Sequence, residues 1–249
     1  MKNALSAAGI TMLQECLTTD PVYAFDFDGT LAPIVTEPQA AVLPLSTRVI
    51  LNRLASERTC IVVSGRLRND VLSRLSGIPF AQAIGNHGSE PWLDSSILRR
   101  YVVAALPTLN ERLSRFKGVG IEDKGVSVSI HYRNVFHRAA VIATTRQVAQ
   151  SLGFSHIIPG KLVLNLLPPG AFDKAQGLLR AMEELHRCSA IYIGDDVTDE
   201  RVFSLPKRYN VLGIRVGYRR DSHAALYLSR QQDIDVMLSF LLEQGRTLR

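Results

Sequence analysis

The feature that most constrains the fold is a series of short apolar runs separated by segments of helical periodicity. The runs cover residues 22–25, 60–63, 190–193 and 211–216. The first three runs are apolar at every position, and the fourth is interrupted only by Gly213 and Arg215; short runs of this kind are typical of strands buried on both faces of a parallel sheet. Apolar positions with helical spacing lie between them, in three groups: Ile50, Leu51 and Leu54; Leu67, Val71, Leu72 and Leu75; Leu178, Leu179, Met182 and Leu185. Strands that alternate with helices predict an α/β fold with a doubly wound parallel sheet.

The middle of the chain departs from this alternation. Its pattern predicts, in order, a strand over 119–122, a turn over 123–125, a strand over 126–132, a helix carrying Val141, Val148 and Leu152, and strands over 154–158 and 161–166. The first two strands alternate apolar and polar positions around a short turn, which predicts an antiparallel hairpin with one exposed face. We therefore predict a core domain formed by residues 1–92 and 168–249, with an α+β module inserted over 93–167.

Composition excludes several classes of protein. With 46% hydrophobic and 21% charged residues, the chain resembles globular proteins and not disordered segments. It contains no apolar run of the roughly 18 residues that a membrane helix requires, and its first residues are a poor match to a signal peptide. We therefore expect a cytoplasmic protein that does not bind membranes. Its three cysteines, Cys16, Cys60 and Cys188, are too few for a disulfide framework, and we expect Cys60 to lie in the core.

The net charge of +6 does not by itself indicate nucleic-acid binding. The basic residues are dispersed, and the densest group, Arg215, Arg219 and Arg220, has no interleaved aromatic residues. We interpret this group as a solvated surface and predict no nucleic-acid partner. An anionic small molecule suits the charge equally well. Nothing in the sequence indicates an oligomer, and a monomer is the simplest expectation.

Carboxylates follow two of the predicted strands. Asp26 and Asp28 come directly after the first run, and Asp195 and Asp196 come after the third, with Asp199 close behind. Ligands of parallel sheets bind at the carboxyl ends of the strands, so these side chains are expected to converge. Because like charges held together repel, a cation or a shared proton must offset them. Hard oxygen ligands without clustered His or Cys favour Mg²⁺.

Two further residues predict a phosphate site. Ser64 ends the second run, and Lys174 opens a predicted helix. A hydroxyl and an ammonium at one sheet edge, together with backbone amides, suit a phosphate. Each residue alone also fits a plainer interpretation, because Asp-x-Asp-Gly occurs in turns and a lysine that starts a helix is usually solvated. It is their order along the chain that favours a single site.

The ordered set DFDGTL, Ser64, Lys174 and GDDVTD resembles the four motifs of the haloacid dehalogenase (HAD) superfamily of phosphohydrolases. The insert between the second and third motifs is similar to the C2-type cap of that superfamily. More narrowly, SGR, GNHG, EDKG, HYR and GDDVTDE resemble the trehalose-6-phosphate phosphatase family. The resemblance implies hydrolysis of trehalose 6-phosphate, a sugar phosphate, to trehalose and phosphate.

The resemblance also implies roles for the motif residues. Asp26 is the nucleophile that forms an aspartyl-phosphate, and Asp28 is the acid and base that protonates the leaving oxygen and then activates water. Thr30, Ser64 and Lys174 bind the transferring oxygens. The Mg²⁺ site comprises the side chains of Asp26, Asp195 and Asp196 and the backbone carbonyl of Asp28.

Substrate selection is expected to come mainly from the insert. By resemblance, the residues that bind the sugar phosphate are Arg66, Asn86, His87, Glu122, Lys124, His131, Arg133 and Asn165. Without the resemblance, the plainer interpretation is preferred, in which Lys124 is only a turn residue and His131 is a satisfied or surface histidine. Asn165 stands where the family usually has a glutamate, and an amide donates and accepts hydrogen bonds but carries no charge.

Three alternatives stay open at this point. The first is a phosphatase for another glycoside phosphate, such as glucosylglycerol phosphate or mannosylglycerate phosphate, which the substitution at Asn165 keeps open. The second is a non-catalytic module that senses a phosphosugar, against which the complete motif set argues. The third is a mutase, for which the chain lacks a second phosphate clamp.

Overall fold

The structure of the chain, a computed structural model, describes residues 1–93, 95–160 and 162–247. The chain divides into two compact units. The larger one, the core unit, comprises Met1–Gly88 and Lys174–Arg249, and the smaller one, the inserted unit, comprises Ser89–Asp173. The sequence predicts that the inserted unit begins after residue 92 and ends at residue 167. Both predicted boundaries lie a few residues inside the observed limits of that unit.

The strands and helices of the described residues are numbered in chain order. The strands are β1 (Lys2–Asn3), β2 (Val22–Phe25), β3 (Cys60–Val63), β4 (Gln82–Ile84), β5 (Gly120–Asp123), β6 (Val128–His131), β7 (His156–Gly160), β8 (Val163–Leu167), β9 (Ala190–Gly194), β10 (Val211–Val216) and β11 (Leu226–Leu228). The α-helices are α1 (Ala7–Leu17), α2 (Leu45–Glu57), α3 (Arg68–Arg74), α4 (Ser95–Leu113), α5 (Arg138–Ser151), α6 (Lys174–Glu184), α7 (Glu200–Phe203) and α8 (Ile234–Thr247).

The core unit is built on one parallel sheet, with strand order β1-β11-β10-β9-β2-β3-β4. The central strand β2 pairs with β9 and β3, so that Phe25 lies opposite Ile193 on one side and Val62 on the other. The four predicted strands are confirmed, and the predicted α/β class with them. All residues of β2, β3 and β9 are buried, as their apolar sequences require. Cys60 is fully buried, as expected.

One helix buries less of its predicted face than expected. Helix α3 buries Val71, and Leu75 at its end is also buried, but Leu67 and Leu72 are 42% and 41% exposed. The prediction for these two leucines is wrong. Leu67 precedes the helix as its N-cap residue, and Leu72 lies about 100° around the helix from Val71, which turns it towards solvent.

The inserted unit contains an antiparallel sheet with the order β5-β6-β8-β7. The predicted hairpin is confirmed as β5 and β6, with Glu122 opposite Ser129. Helices α4 and α5 pack together and supply Val102, Leu109 and Val141 to an apolar core that strands β6 and β8 complete. Each unit therefore buries its own apolar residues. None of the helices in the described residues has both the length and the apolar character of a membrane span.

Candidate active site

The first predicted carboxylate, Asp26, lies at the carboxyl end of the central strand. Its backbone N–H donates to the Ile193 carbonyl at 2.9 Å, which continues the pairing of β2 with β9 by one residue. The residue is buried, with 4% of its surface exposed. Its Oδ1 lies 2.9 Å from Nζ of Lys174, the first residue of α6. Asp26 and Lys174 therefore lie close together, as predicted.

Two of the aspartates that follow β9, Asp195 and Asp199, converge on the same point, whereas the side chain of Asp196 caps the short helix at residues 197–199. Asp26, Asp195 and Asp199 each offer a carboxylate oxygen, and these three oxygens lie within 4.8 Å of one another. Asp199 is fully buried and accepts hydrogen bonds from Lys174 Nζ (2.8 Å), the Tyr192 hydroxyl (2.6 Å) and a backbone N–H. We refer to Asp26, Asp195 and Asp199 as the carboxylate cluster.

Burial makes negative charge costly in this cluster. Desolvation is the largest of the effects that raise the pKa of Asp26 to about 8. The ammonium of Lys174 lowers this pKa, and the carboxylates of Asp199 and Asp28 raise it. Desolvation, followed by the charges of Asp26 and Asp199, raises the pKa of Asp195 to about 9. Burial opposes the charge on Lys174, but Asp199 and Asp26 outweigh it and raise the pKa of the ammonium. The single ammonium of Lys174 therefore does not balance the negative charge of the three carboxylates.

The cluster suits a hard divalent cation. Oδ1 of Asp195 is buried and has no hydrogen-bond partner among the described residues, which is expensive for a carboxylate that faces no cation. Gly29 adopts a φ of +82°, and a Cβ at this position would have all three heavy atoms of the Asp195 carboxyl group within 2.7 Å. The absence of a side chain therefore lets the DFDG turn approach Asp195. An all-oxygen donor set of this kind fits Mg²⁺.

Asp28 lies outside this cluster and pairs with an arginine. Its two carboxylate oxygens each accept a hydrogen bond from Arg66, from Nε and Nη2, at 2.6 Å. The guanidinium is also held by Asp70 at 2.8 Å and by the Pro38 carbonyl at 2.6 Å, and it stacks over the Phe27 ring. The sequence led us to expect Arg66 to contact substrate; here it orients Asp28.

Other predicted core residues line the same end of the sheet. Ser64 and Thr30 are fully buried. The Ser64 Oγ accepts from the Arg66 backbone N–H at 3.1 Å, and Oγ1 of Thr30 has no partner among the described residues. Asn86 and His87 are buried with left-handed φ angles of 50° and 58°. Their N–H groups donate to the carbonyls of Arg66 and Ser64, which fixes the GNHG loop beside the SGR loop.

The predicted residues of the inserted unit fall into two environments. On the hairpin, His131 Nε2 lies 2.8 Å from Oε2 of Glu122, and both side chains are about half exposed. Lys124 is partly buried in the connecting turn, and Arg133 is exposed. By contrast, Asn165 is buried in β8, where its Oδ1 accepts from the Ser129 hydroxyl at 2.7 Å. Its amide is therefore engaged within the sheet.

Comparison with known proteins agrees with this geometry. A family model described as trehalose-phosphatase matches residues 24–226, which include the carboxylate cluster, Lys174 and the inserted unit. The chain belongs to the trehalose-phosphatase family.

Relatives in this family share both sequence and fold with the chain. A trehalose-phosphate phosphatase of Mycobacterium tuberculosis is 33% identical over 220 residues, covering 82% of this chain and 56% of the relative. The chain thus spans about half the length of the curated relatives it matches. The C-terminal domain of a trehalose-6-phosphate phosphatase from C. albicans superposes with a TM-score of 0.76 at 19% identity, covering 98% of both chains. A solved trehalose-6-phosphate phosphatase related protein gives a TM-score of 0.71 at 22% identity and covers 92% of this chain and 100% of its own.

Sequence reasoning missed two residues of this candidate site. We named Asp199 as a neighbour of the GDDVTD aspartates but not as the shared partner of Lys174 and Tyr192. Its position one helical turn after Asp196 is the signal that places it near the other aspartates. Arg215 was interpreted as part of a solvated surface; that prediction is wrong, since only 7% of the residue is exposed and it contacts the loop after β9.

Proposed function

We propose that the chain is a Mg²⁺-dependent phosphatase that hydrolyses trehalose 6-phosphate to trehalose and inorganic phosphate. Membership of the trehalose-phosphatase family supports this function. The observation that carries it is the position of Asp26, a buried carboxylate that lies 2.9 Å from Lys174 beside two further carboxylates. A nucleophile, a countercharge and a cation site at one sheet edge are the parts that phosphoryl transfer requires.

The reaction proceeds in two displacements. An Asp26 oxygen attacks phosphorus and the bond to the sugar oxygen breaks, while Asp28 gives its proton to that oxygen and trehalose leaves. Asp28 then takes a proton from water, whose oxygen attacks the phosphorus and releases phosphate and the free Asp26 carboxylate. Arg66 donates to both oxygens of Asp28, which orients this side chain as the base of the second displacement; in the first displacement one of these oxygens carries the proton that passes to the sugar oxygen.

The remaining core residues bind and orient the phosphoryl group. Lys174 stabilises negative charge at the phosphoryl oxygens, and Thr30 and Ser64 supply hydroxyl groups. Asp26 and Asp195, with Asp196 and the Asp28 carbonyl by resemblance to the superfamily, would hold Mg²⁺. When bound, the ion neutralises charge on the phosphate and keeps the carboxylates ionised.

The inserted unit supplies sugar recognition in this proposal. Glu122, Lys124, His131 and Arg133 present charged and polar atoms suited to hydroxyl groups. Asn165 has a lesser role than we expected, because its Oδ1 is hydrogen-bonded to Ser129 within the sheet. The sugar phosphate is the only partner we propose; the monomeric state and cytoplasmic location stay predictions.

A substrate panel tests the proposed specificity. Phosphate release is measured with trehalose 6-phosphate, glucose 6-phosphate, glucosylglycerol phosphate and mannosylglycerate phosphate, each with Mg²⁺ and with EDTA. We expect the highest kcat/KM for trehalose 6-phosphate and no release in EDTA. Equal rates on all substrates, or a preference for another compound, would refute the proposed substrate.

Asp26→Asn tests covalent catalysis. The amide keeps the shape of the carboxylate but is a poor nucleophile, so we expect loss of at least about a thousandfold in kcat, in line with losses at other nucleophiles. Surviving activity contradicts an aspartyl-phosphate. A parent protein that binds trehalose 6-phosphate tightly and releases no phosphate is instead a sensing module.

Substitutions in the inserted unit test the sugar contacts. Glu122→Gln is expected to raise KM for trehalose 6-phosphate by about tenfold, the loss of one charged hydrogen bond, with kcat nearly unchanged. Asn165→Ala is expected to act mainly on stability. The free energy of unfolding should fall by more than the free energy that corresponds to its rise in KM. Glu111→Gln, on the exposed face of α4, is the matched control. An unchanged KM in Glu122→Gln contradicts the assignment of Glu122.

A further inference from the structure

Arg215 connects strand β10 to the loop that follows β9. It lies near the end of β10, in register with Gly194, the residue immediately before Asp195 in the chain. Its side chain is only 9% exposed. A buried guanidinium needs acceptors, since unpaired buried charge is strongly destabilising; Nη1 and Nη2 of Arg215 have them, whereas Nε has no partner among the described residues.

The acceptors around Arg215 belong to the aspartate loop. Nη2 donates to the backbone carbonyl of Asp195, and Nη1 donates to the carbonyl of Asp196 at 3.1 Å. Nη1 also lies 2.9 Å from Oε1 of Glu200, the first residue of α7. The other oxygen of Glu200 accepts the His223 backbone N–H at 2.9 Å. One side chain thus fixes two consecutive peptide groups of the loop and ties them to α7.

We propose that Arg215 is a positioning residue that sets the metal affinity of the site, acting with Glu200. The inference rests on the proposed function for the identity of the metal, but its geometry is independent of the substrate. Because Arg215 holds the carbonyls of Asp195 and Asp196, it fixes the backbone from which both carboxylates project. Partners that orient the ligands of a metal typically contribute about 10- to 100-fold in metal affinity.

Arginine suits this role better than lysine. The planar guanidinium offers several N–H donors in fixed directions, so that it reaches two carbonyls and a carboxylate at once. A lysine at this position keeps the charge but lacks the rigid fork. A role limited to folding is the competing explanation, and it predicts lower stability of the variants with normal metal binding by the folded protein.

The test measures metal binding directly, without substrate. Mn²⁺, which accepts the same oxygen ligands as Mg²⁺, is titrated into the parent, Arg215→Met and Arg215→Lys, and free Mn²⁺ is followed by electron paramagnetic resonance. We expect the Mn²⁺ Kd to rise about 10- to 100-fold in Arg215→Met, and by less in Arg215→Lys. The control is Arg219→Met, which removes an arginine that is 42% exposed and paired with Asp221 at 2.6 Å; its Kd should be unchanged.

A second readout uses catalysis. In Arg215→Lys, the Mg²⁺ concentration that gives half-maximal phosphate release should rise with the Mn²⁺ Kd, while kcat at saturating Mg²⁺ is retained. Folded Arg215→Met with the Kd of the parent overturns the proposal, and if that variant does not fold, an unchanged Kd in Arg215→Lys does so. A parent that binds no Mn²⁺ also overturns it. A parent that binds Mn²⁺ but releases no phosphate refutes the proposed function alone.

Discussion

Replacing Gly29 by alanine provides a quantitative test of how the DFDG turn meets the aspartate loop. The variant adds one methyl group at a position where φ is +82° and the Asp195 carboxyl group lies within 2.7 Å of the new atom. Two separate penalties therefore apply. The first is the left-handed backbone conformation, and the second is the overlap with Asp195.

Gly77 separates these penalties. Its φ is +83°, but a Cβ there would have no heavy atom within 4 Å. Gly77→Ala should therefore cost only the conformational strain, about 1–2 kcal/mol. Gly29→Ala should cost the same strain plus about 1–3 kcal/mol for overpacking, or about 2–5 kcal/mol in all.

The assay is urea unfolding in EDTA, followed by circular dichroism, for both variants and the parent. We expect the free energy of unfolding to fall further for Gly29→Ala than for Gly77→Ala. In an Asp195→Ala background the overlap is gone, and Gly29→Ala should then cost about as much as Gly77→Ala, which makes the coupling energy about 1–3 kcal/mol. Mn²⁺ binding should weaken in Gly29→Ala only. Equal losses for the two glycines in the parent background would refute the reasoning.

Three further perturbations address the carboxylate cluster. Tyr192→Phe removes the hydroxyl that donates to Asp199 at 2.6 Å, and it should lower the free energy of urea unfolding by about 1.5–3 kcal/mol; no loss would mean that this hydrogen bond is not formed. Lys174→Met leaves two buried carboxylates without their ammonium and should cost about 3–5 kcal/mol at neutral pH in EDTA, with loss of phosphate release; full stability would contradict the ion pairs. Burial raises the pKa values of Asp26 and Asp195 to about 8 and 9, so the folded state holds more protons than the unfolded state, and in EDTA the free energy of unfolding, and with it the Tm, should fall as the pH rises from about 4, the ordinary pKa of an aspartate, to about 9. Saturating Mg²⁺ should reduce this fall in Tm, since the cation replaces the protons, and a Tm in EDTA that rises over this range would contradict the raised pKa values.

The sequence predicted the parts of the fold that rest on local apolar patterns. The strands Val22–Phe25 and Cys60–Val63 coincide with uninterrupted apolar runs, because strands buried on both faces are apolar at nearly every position, and Val211–Val216 was predicted although Arg215 interrupts its run. The edge strand Lys2–Asn3 and its neighbour Leu226–Leu228 were not predicted. They are two and three residues long and are defined by their pairing with each other and with β10.

The candidate site divides in the same way. Asp26, Asp195 and Lys174 stand at strand or helix ends, where topology alone brings them together. The partners of Arg66 and Arg215 were beyond prediction, because a long flexible side chain can reach many acceptors and only the packed structure selects among them. An isolated arginine in a sequence therefore indicates a positive charge, but it does not indicate which acceptor groups the guanidinium will contact.

The position of β2 in the sheet has a consequence for folding order. Its neighbour β3 follows closely in the chain, but its other neighbour, β9, lies beyond the whole inserted unit. Until β9 pairs with β2, Asp26 stands at an open strand edge, where water reaches its carboxylate. The electrostatic repulsion of the cluster arises only when β9 docks and brings Asp195 and Asp199. Closing the sheet is thus the step that concentrates negative charge, and divalent cations should accelerate late folding events more than early ones.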